Sequence, residues 1–165
     1  MDKELIKEVR RAIQENEPDI VKNLVDENKE LLSVTTPFGT FLHDAASYGM
    51  YDIAKYLVES GIDVNTVGGV GRKSNALTKA AFEGYLNIVE LLYENGATFD
   101  VSTFDANPLF AAIYNNHIDV VKFLVEKGID LKPCYAVGDY DALNACDYAE
   151  VYGRSEIVEY LKSKM

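Results

Sequence analysis

Histidine and cysteine are scarce in this chain, with two of each among 165 residues. No Ser-His-Asp or Cys-His set for nucleophilic catalysis can be assembled from their spacing. They also lack the close spacing of a zinc ligand set. Cys134 and Cys146 are too few for a disulfide framework, and both are expected as free thiols. Basic residues are in deficit too. Sixteen Lys and Arg stand against 27 Asp and Glu, a formal charge of −11. Phosphate binding relies on clustered Lys and Arg, so nucleic acid is excluded as a partner. Arg10-Arg11 reads as a solvated helix face. No run approaches the ~18 consecutive apolar residues of a membrane span, so no membrane partner is expected. The opening Met1-Asp2-Lys3-Glu4 has no basic region followed by an apolar stretch. A secretory signal is therefore not expected, and a cytoplasmic location is.

Two segments that superficially suggest ligands do not meet the chemistry. Gly68-Gly69-Val70-Gly71 lacks a preceding βαβ context and the spacing of a dinucleotide loop. Asp139 and Asp141 lack the spacing of a calcium loop. The expectation is a non-enzymatic chain with no metal and no cofactor. At this length it forms one domain, burying roughly 68–70% of its unfolded surface.

What the chain has is a repeat. Ala12-Ile13 leads to Asn16, Ala45-Ala46 to Gly49, Ala80-Ala81 to Gly84, Ala112-Ile113 to Asn116 and Ala149-Glu150 to Gly153. The steps between these glycine and asparagine positions are 33, 35, 32 and 37 residues, the period of a helix-turn-helix unit with a small connector. Leu42, Ala45, Ala46 and Gly49 fall at i, i+3, i+4 and i+7, one face of a helix. Alanines on that face let neighbouring helices approach closely. Gly49, Gly84 and Gly153 suit a left-handed helix end, and asparagine is the next best residue there. Asp52, Asn87, Asp119 and Glu156 fall in the opening turns of the second helices, where acids favour the positive end by about 0.3–1 kcal/mol.

Gly39-Thr40-Phe41-Leu42-His43-Asp44-Ala45-Ala46, with its counterparts from Ser74 and from Asn107, resembles the ankyrin repeat. Ile53-Ala54-Lys55-Tyr56-Leu57-Val58, Ile88-Val89-Glu90-Leu91-Leu92-Tyr93 and Val120-Val121-Lys122-Phe123-Leu124-Val125 resemble its second helix. Asp63-Val64-Asn65 resembles its ending. The resemblance covers nearly the whole chain. It implies an all-α solenoid of helix-turn-helix units with short β-hairpin or loop connectors. Five repeats are expected, at approximately 1-33, 34-66, 67-101, 102-133 and 134-165, the outer two divergent caps. Pro18 fits the first turn of a helix. Glu150, Arg154, Glu156 and Lys162 are expected on the solvent-facing outer side of the last repeat. Cys146 stands where the repeat pattern has a buried leucine. The resemblance also implies that the ring of His43 bonds the adjoining turn, and it places His117 where the family has histidine.

The family's groove is implied to run along the first helices and the connector tips. The two residues before each helix-ending position supply Tyr48, Phe82 with Glu83, Tyr114 with Asn115, and Tyr152, and Asp44 clusters with Tyr48 at 100° per residue. One aromatic per repeat thus falls on a face that packing is not expected to claim. Two readings of that row remain: a binding surface, or rings that stack along the solenoid. With half of each ring available, four supply about 300–500 Å² of contact, around half of one partner's share of a standard interface. The longer connectors at Val67–Lys73 and Lys132–Asp141 account for the 35- and 37-residue steps. Asp139, Tyr140 and Asp141, with Phe104 and Asp105 on the previous connector, offer an acidic-aromatic edge. The negative charge keeps a tyrosine-rich solenoid soluble and would speed encounter with a basic partner. The sequence thus predicts a monomeric protein-binding module, an intracellular adaptor or inhibitor of one protein with a basic surface. The alternatives are an immunity-type protein neutralising a basic toxin and a self-associating scaffold.

Overall fold

The computed structural model describes residues 2–69 and 73–165. Val70, Gly71 and Arg72, at the centre of the glycine-rich connector, lie outside the described residues, as does Met1. Ten α-helices occur among the described residues, in five successive pairs: α1 (Lys3–Gln14) with α2 (Pro18–Glu27), α3 (Phe41–Tyr48) with α4 (Tyr51–Glu59), α5 (Ala76–Glu83) with α6 (Leu86–Glu94), α7 (Pro108–Tyr114) with α8 (Ile118–Glu126), and α9 (Ala145–Val151) with α10 (Ser155–Lys162). A 3₁₀ turn at Lys29–Ser33 follows α2. The inner helices α1, α3, α5, α7 and α9 pack in one row, and the outer helices α2, α4, α6, α8 and α10 form a second row behind it.

Local chemistry explains where the inner helices start and stop. The side chains of Asp2, Asn75, Asn107 and Asn144 each accept from a backbone N–H in the first turn, which satisfies donors that the helix leaves without partners. Thr40 does the same within a reciprocal box completed by His43. The chain then turns at Asn16 (φ 55°), Gly49 (φ 73°), Gly84 (φ 84°), Asn116 (φ 64°) and Gly153 (φ 67°), all five in the left-handed region. Pro18 opens α2, where a missing N–H costs nothing.

Small buried residues hold the inner row together. Val9, Ala12, Ile13, Leu42, Ala45, Ala46, Leu77, Ala80, Ala81, Leu109, Ala112 and Ile113 are all without solvent exposure. Cys146 is buried in the same row and Cys134 is exposed in the last connector; both are free thiols.

In α1, α3 and α5, the residue six positions before the left-handed turn reaches into the connector of the next unit. Arg10 donates from Nη2 to Thr36 Oγ1 at 2.6 Å and approaches the Gly39 carbonyl at 3.5 Å. His43 Nε2 donates to the Ser74 carbonyl at 3.0 Å, while its Nδ1 accepts from the Thr40 N–H at 3.2 Å. Thr78 Oγ1 donates to the Ala106 carbonyl at 2.8 Å. Gly39, Ser74 and Ala106 occupy equivalent places in successive units, so three chemically different side chains do one structural job. Both nitrogens of His43 are engaged, and burial holds its pKa below the ordinary value. The bond from His43 therefore reaches the connector of the following unit as well as its own turn.

The connectors differ in regularity. Thr36 and Gly39 form a single antiparallel bridge, as do Gly68 and Ser74. The enlarged last connector makes a two-stranded sheet of β1 (Tyr135–Val137) and β2 (Tyr140–Leu143). Behind them, Asn65 ties two units, donating from Nδ2 to the Gly96 carbonyl and accepting from the Thr98 N–H, each at 2.9 Å.

Candidate functional site: a groove between the inner helices and the connectors

A cavity of about 370 Å³ opens between the last turns of α5, α7 and α9 and the connectors facing them. Six residues singled out from the sequence line it: Phe82, Glu83, Phe104, Asp105, Tyr114 and Tyr152. Ser47, Ser74, Thr78 and Lys79 line it on the α3 and α5 side, and Val137 of β1 on the connector side. The repeat geometry makes this convergence: equivalent turns of successive helices present side chains to the same channel.

The aromatic row is not one row. Phe82 and Tyr114 stand two residues before the left-handed turn, whereas Tyr48 and Tyr152 stand one residue before it, a rotation of about 100°. Phe82 and Tyr114 therefore stack, with ring centres 6.0 Å apart and planes 15° apart. Tyr152 meets Tyr114 edge-on at 5.3 Å and leans on Tyr148 at 4.6 Å. The expectation that packing leaves all four rings alone is thus corrected. Phe82 and Tyr152 are half-buried by their neighbours, while Tyr114 stays 42% exposed in the groove. Tyr48 lies outside the cavity, and its hydroxyl accepts from Gln14 Nε2 at 2.9 Å.

Other expected site residues have structural employment. Asn115 donates from Nδ2 to the Phe82 carbonyl at 2.6 Å, beside the bond from His117 Nε2 to the same oxygen at 3.1 Å. Phe104 is not an exposed edge residue. Its ring packs edge-on to Phe110 at 5.7 Å, Tyr135 at 6.1 Å and Tyr148 at 5.5 Å. Asp139, Tyr140 and Asp141 are exposed at and beside the β1–β2 turn and do not line the cavity. The acidic-aromatic edge drawn from the sequence therefore separates into a packed Phe104 and an exposed hairpin tip outside the cavity lining. Glu150, Glu156 and Lys162 are exposed on the last repeat as expected, Glu156 pairing with Lys122 of α8 at 3.5 Å. Arg154 departs from that expectation: it is half-buried and donates to the Tyr114 carbonyl.

Asp44 and Arg10 depart furthest from expectation. Arg10 is no solvated face residue: its Nε lies 2.9 Å from Asp44 Oδ2, and the two side chains are only 19% and 16% exposed. The contact is an ion pair rather than an aligned hydrogen bond. The guanidinium also sits over the Phe38 ring, 5.1 Å from its centre. Burial raises the Asp44 carboxyl from the ordinary 3.8 to about 6, although Arg10 works the other way. A raised acid pKa means that the folded state holds the proton more tightly than the unfolded chain. Its stabilising contribution is full below pH 3.8 and is lost as pH rises through about 6. Relative to Asp44→Asn, the wild type is expected to gain about 1 kcal/mol of stability between pH 7.5 and pH 5. Paired urea titrations at the two pH values measure this difference and cancel titration of His43 and the other carboxylates. A constant offset would refute the assignment.

The residues missed from sequence are Phe110 and Tyr148. Phe110 holds the position that is His43 and Thr78 in earlier units, and Tyr148 aligns with Asp44, Lys79 and Ala111. Large rings at positions that are elsewhere small or polar were the available signal. Together with Phe104 and Tyr135 they build the floor beneath the groove.

Stacked helix pairs with left-handed turns, connectors set against the inner helices and a groove between them define a solenoid of helix-turn-helix repeats. The chain belongs to the ankyrin-repeat family: the family model for ankyrin repeats (3 copies) matches residues 9–105 and 77–165. Alpha-latrocrustotoxin-Lt1a of Latrodectus tredecimguttatus is 35% identical over 117 residues, covering 68% of this chain and 8% of that protein. Protein fem-1 homolog A-like of Mus musculus is 33% identical over 105 residues, 63% of this chain and 16% of that protein. A putative ankyrin repeat protein of Rickettsia felis is 33% identical over 99 residues, 55% and 43% respectively. The chain thus spans a small part of the first two and less than half of the third. Ankyrin repeats are generally protein–protein interaction modules. No helix among the described residues is long and apolar enough to cross a membrane.

Proposed function

We propose that this chain binds one protein partner through the groove, acting as a monomeric, non-enzymatic intracellular adaptor or inhibitor. The observation that carries the reading is the 42% exposed Tyr114 ring, set on a wall of packed aromatics at the mouth of a cavity. Tyrosine in such a setting is a frequent binding hot spot, because a rigid ring provides contact area at little ordering cost. A scaffold of stacked repeats adds preorganisation. The formal charge of −11 favours a partner with a basic surface and, in its sharper form, an immunity-type protein that neutralises a basic toxin. Either would associate at a rate that falls steeply with salt.

The double variant Phe82→Ala/Tyr114→Ala is expected to lose capture of the partner from a lysate of the source cell. Helicity should persist, since both side chains sit in the last turn of their helices. Capture at low and high salt with mass spectrometry makes the comparison. A partner retained equally by both forms would refute the groove as its site. Concentration-dependent light scattering of the isolated chain would instead support a self-associating scaffold.

A further inference from the structure

We infer that the groove is built for an arginine side chain, presented by a segment of the partner. This inference rests on the protein-binding reading above and names the chemistry of the occupant. Tyr114 presents an exposed ring backed by the near-parallel Phe82 and the edge-on Tyr152. The result is an extended aromatic wall rather than a closed cage. A planar guanidinium can lie flat against such a wall, whereas a compact ammonium gains most when rings enclose it.

The charges in the groove complete the match. Glu83 extends from the last turn of α5 beside Phe82 and lines the groove together with Tyr114. No hydrogen bond or ion pair engages the Glu83 carboxylate among the described residues. Lys79 is the one cation among the described lining residues. It sits one helical turn before Glu83 on α5, and no ion pair joins the two. A guanidinium therefore belongs at the Tyr114 and Glu83 end, where its fork of donors can reach a carboxylate while its face covers a ring. The molecule already uses this chemistry once: Arg10 crosses from α1 to pair with Asp44 while lying over Phe38.

The test is a titration of the isotope-labelled full chain with Ac-Gly-Ala-Arg-Ala-Gly-NH2, followed by NMR of the tyrosine and phenylalanine rings. Citrulline in place of arginine keeps the shape and removes the charge. Saturable shifts at Tyr114, Tyr152 and Phe82 are expected with arginine, and affinity about tenfold lower with citrulline. Glu83→Gln, an exposed change that leaves the fold intact, should weaken the arginine peptide by about the same factor. Equal binding of the citrulline peptide, shifts confined to other residues, or tighter binding of the corresponding lysine or trimethyl-lysine peptide would each overturn the assignment. Loss of partner capture in Phe82→Ala/Tyr114→Ala without any arginine dependence would leave the groove as the binding site and remove arginine as its occupant.

Discussion

Tyr148→Ala should cost about 3–5 kcal/mol, the range for removing a large buried aromatic side chain. The ring is only 1% exposed. It touches Phe104 at 5.5 Å, Phe110 at 5.1 Å and Tyr152 at 4.6 Å, so one truncation removes the centre of the aromatic floor. Stability in a repeat array is close to a sum of unit and neighbour-interface contributions. The damage should accordingly fall on one end of the molecule. Hydrogen exchange is expected to accelerate in α9, α10 and the β1–β2 hairpin while α3 to α6 keep their protection. The groove would lose the support of Tyr152, and arginine-peptide affinity should fall with it. Tyr148→Phe preserves the packing and separates the ring from its hydroxyl. A loss below about 1 kcal/mol in Tyr148→Ala, or exchange spread evenly along the chain, would show that the cluster does not hold the last unit in place.

Gly84→Ala is expected to destabilise by about 3 kcal/mol, from two separate causes. The residue has φ 84°, a conformation that costs a residue with a Cβ roughly 1–2 kcal/mol. An added Cβ would also lie 2.4 Å from His117 Nδ1. The imidazole cannot swing aside freely, because its Nε2 is bonded to the Phe82 carbonyl at 3.1 Å. Gly153→Ala provides the control. Its φ is 67°, yet no atom lies within 4 Å of the corresponding Cβ, so only the backbone cost of about 1 kcal/mol should remain. Urea unfolding of both variants measures the difference. Similar losses in the two would mean that the ring of His117 relaxes at no cost. Gly49, where a Cβ would meet the Tyr85 ring at 2.6 Å, should follow Gly84.

These two experiments also separate what was legible from what was not. The left-handed turns were readable because glycine and asparagine recur at a fixed period, and backbone sterics depend on residue type alone. The Ala-Ala face was readable for the same reason: small residues at helical spacing have one consequence in any close-packed row. That Gly84 is additionally crowded by His117 was not readable, since it depends on how far one unit shifts against the next. The site was legible as a region. Phe82, Glu83, Tyr114 and Tyr152 were placed by repeat position, and they do line one cavity. Their division into a stacked pair and a rotated pair follows from a one-residue difference that the sequence displays, but its result depends on neighbouring helices. Asp44 illustrates the limit. Helical periodicity put it on an outward face, and only packing revealed Arg10 arriving from the preceding unit to bury and pair it.

The sequence by itself determined the repeat period, the helix pairs and their ends, the small-residue core and the surplus of negative charge. Each of these follows from local sterics, capping chemistry and composition, which need no knowledge of distant residues. The tertiary structure alone decided that Arg10, His43 and Thr78 serve equivalent connector positions, that Phe104 and Tyr148 lie in a floor, and that Tyr114 remains open above it. Those outcomes depend on contacts between units some 30 residues apart, where the stacking offset between helices, and not the order of residues along the chain, selects which side chains meet.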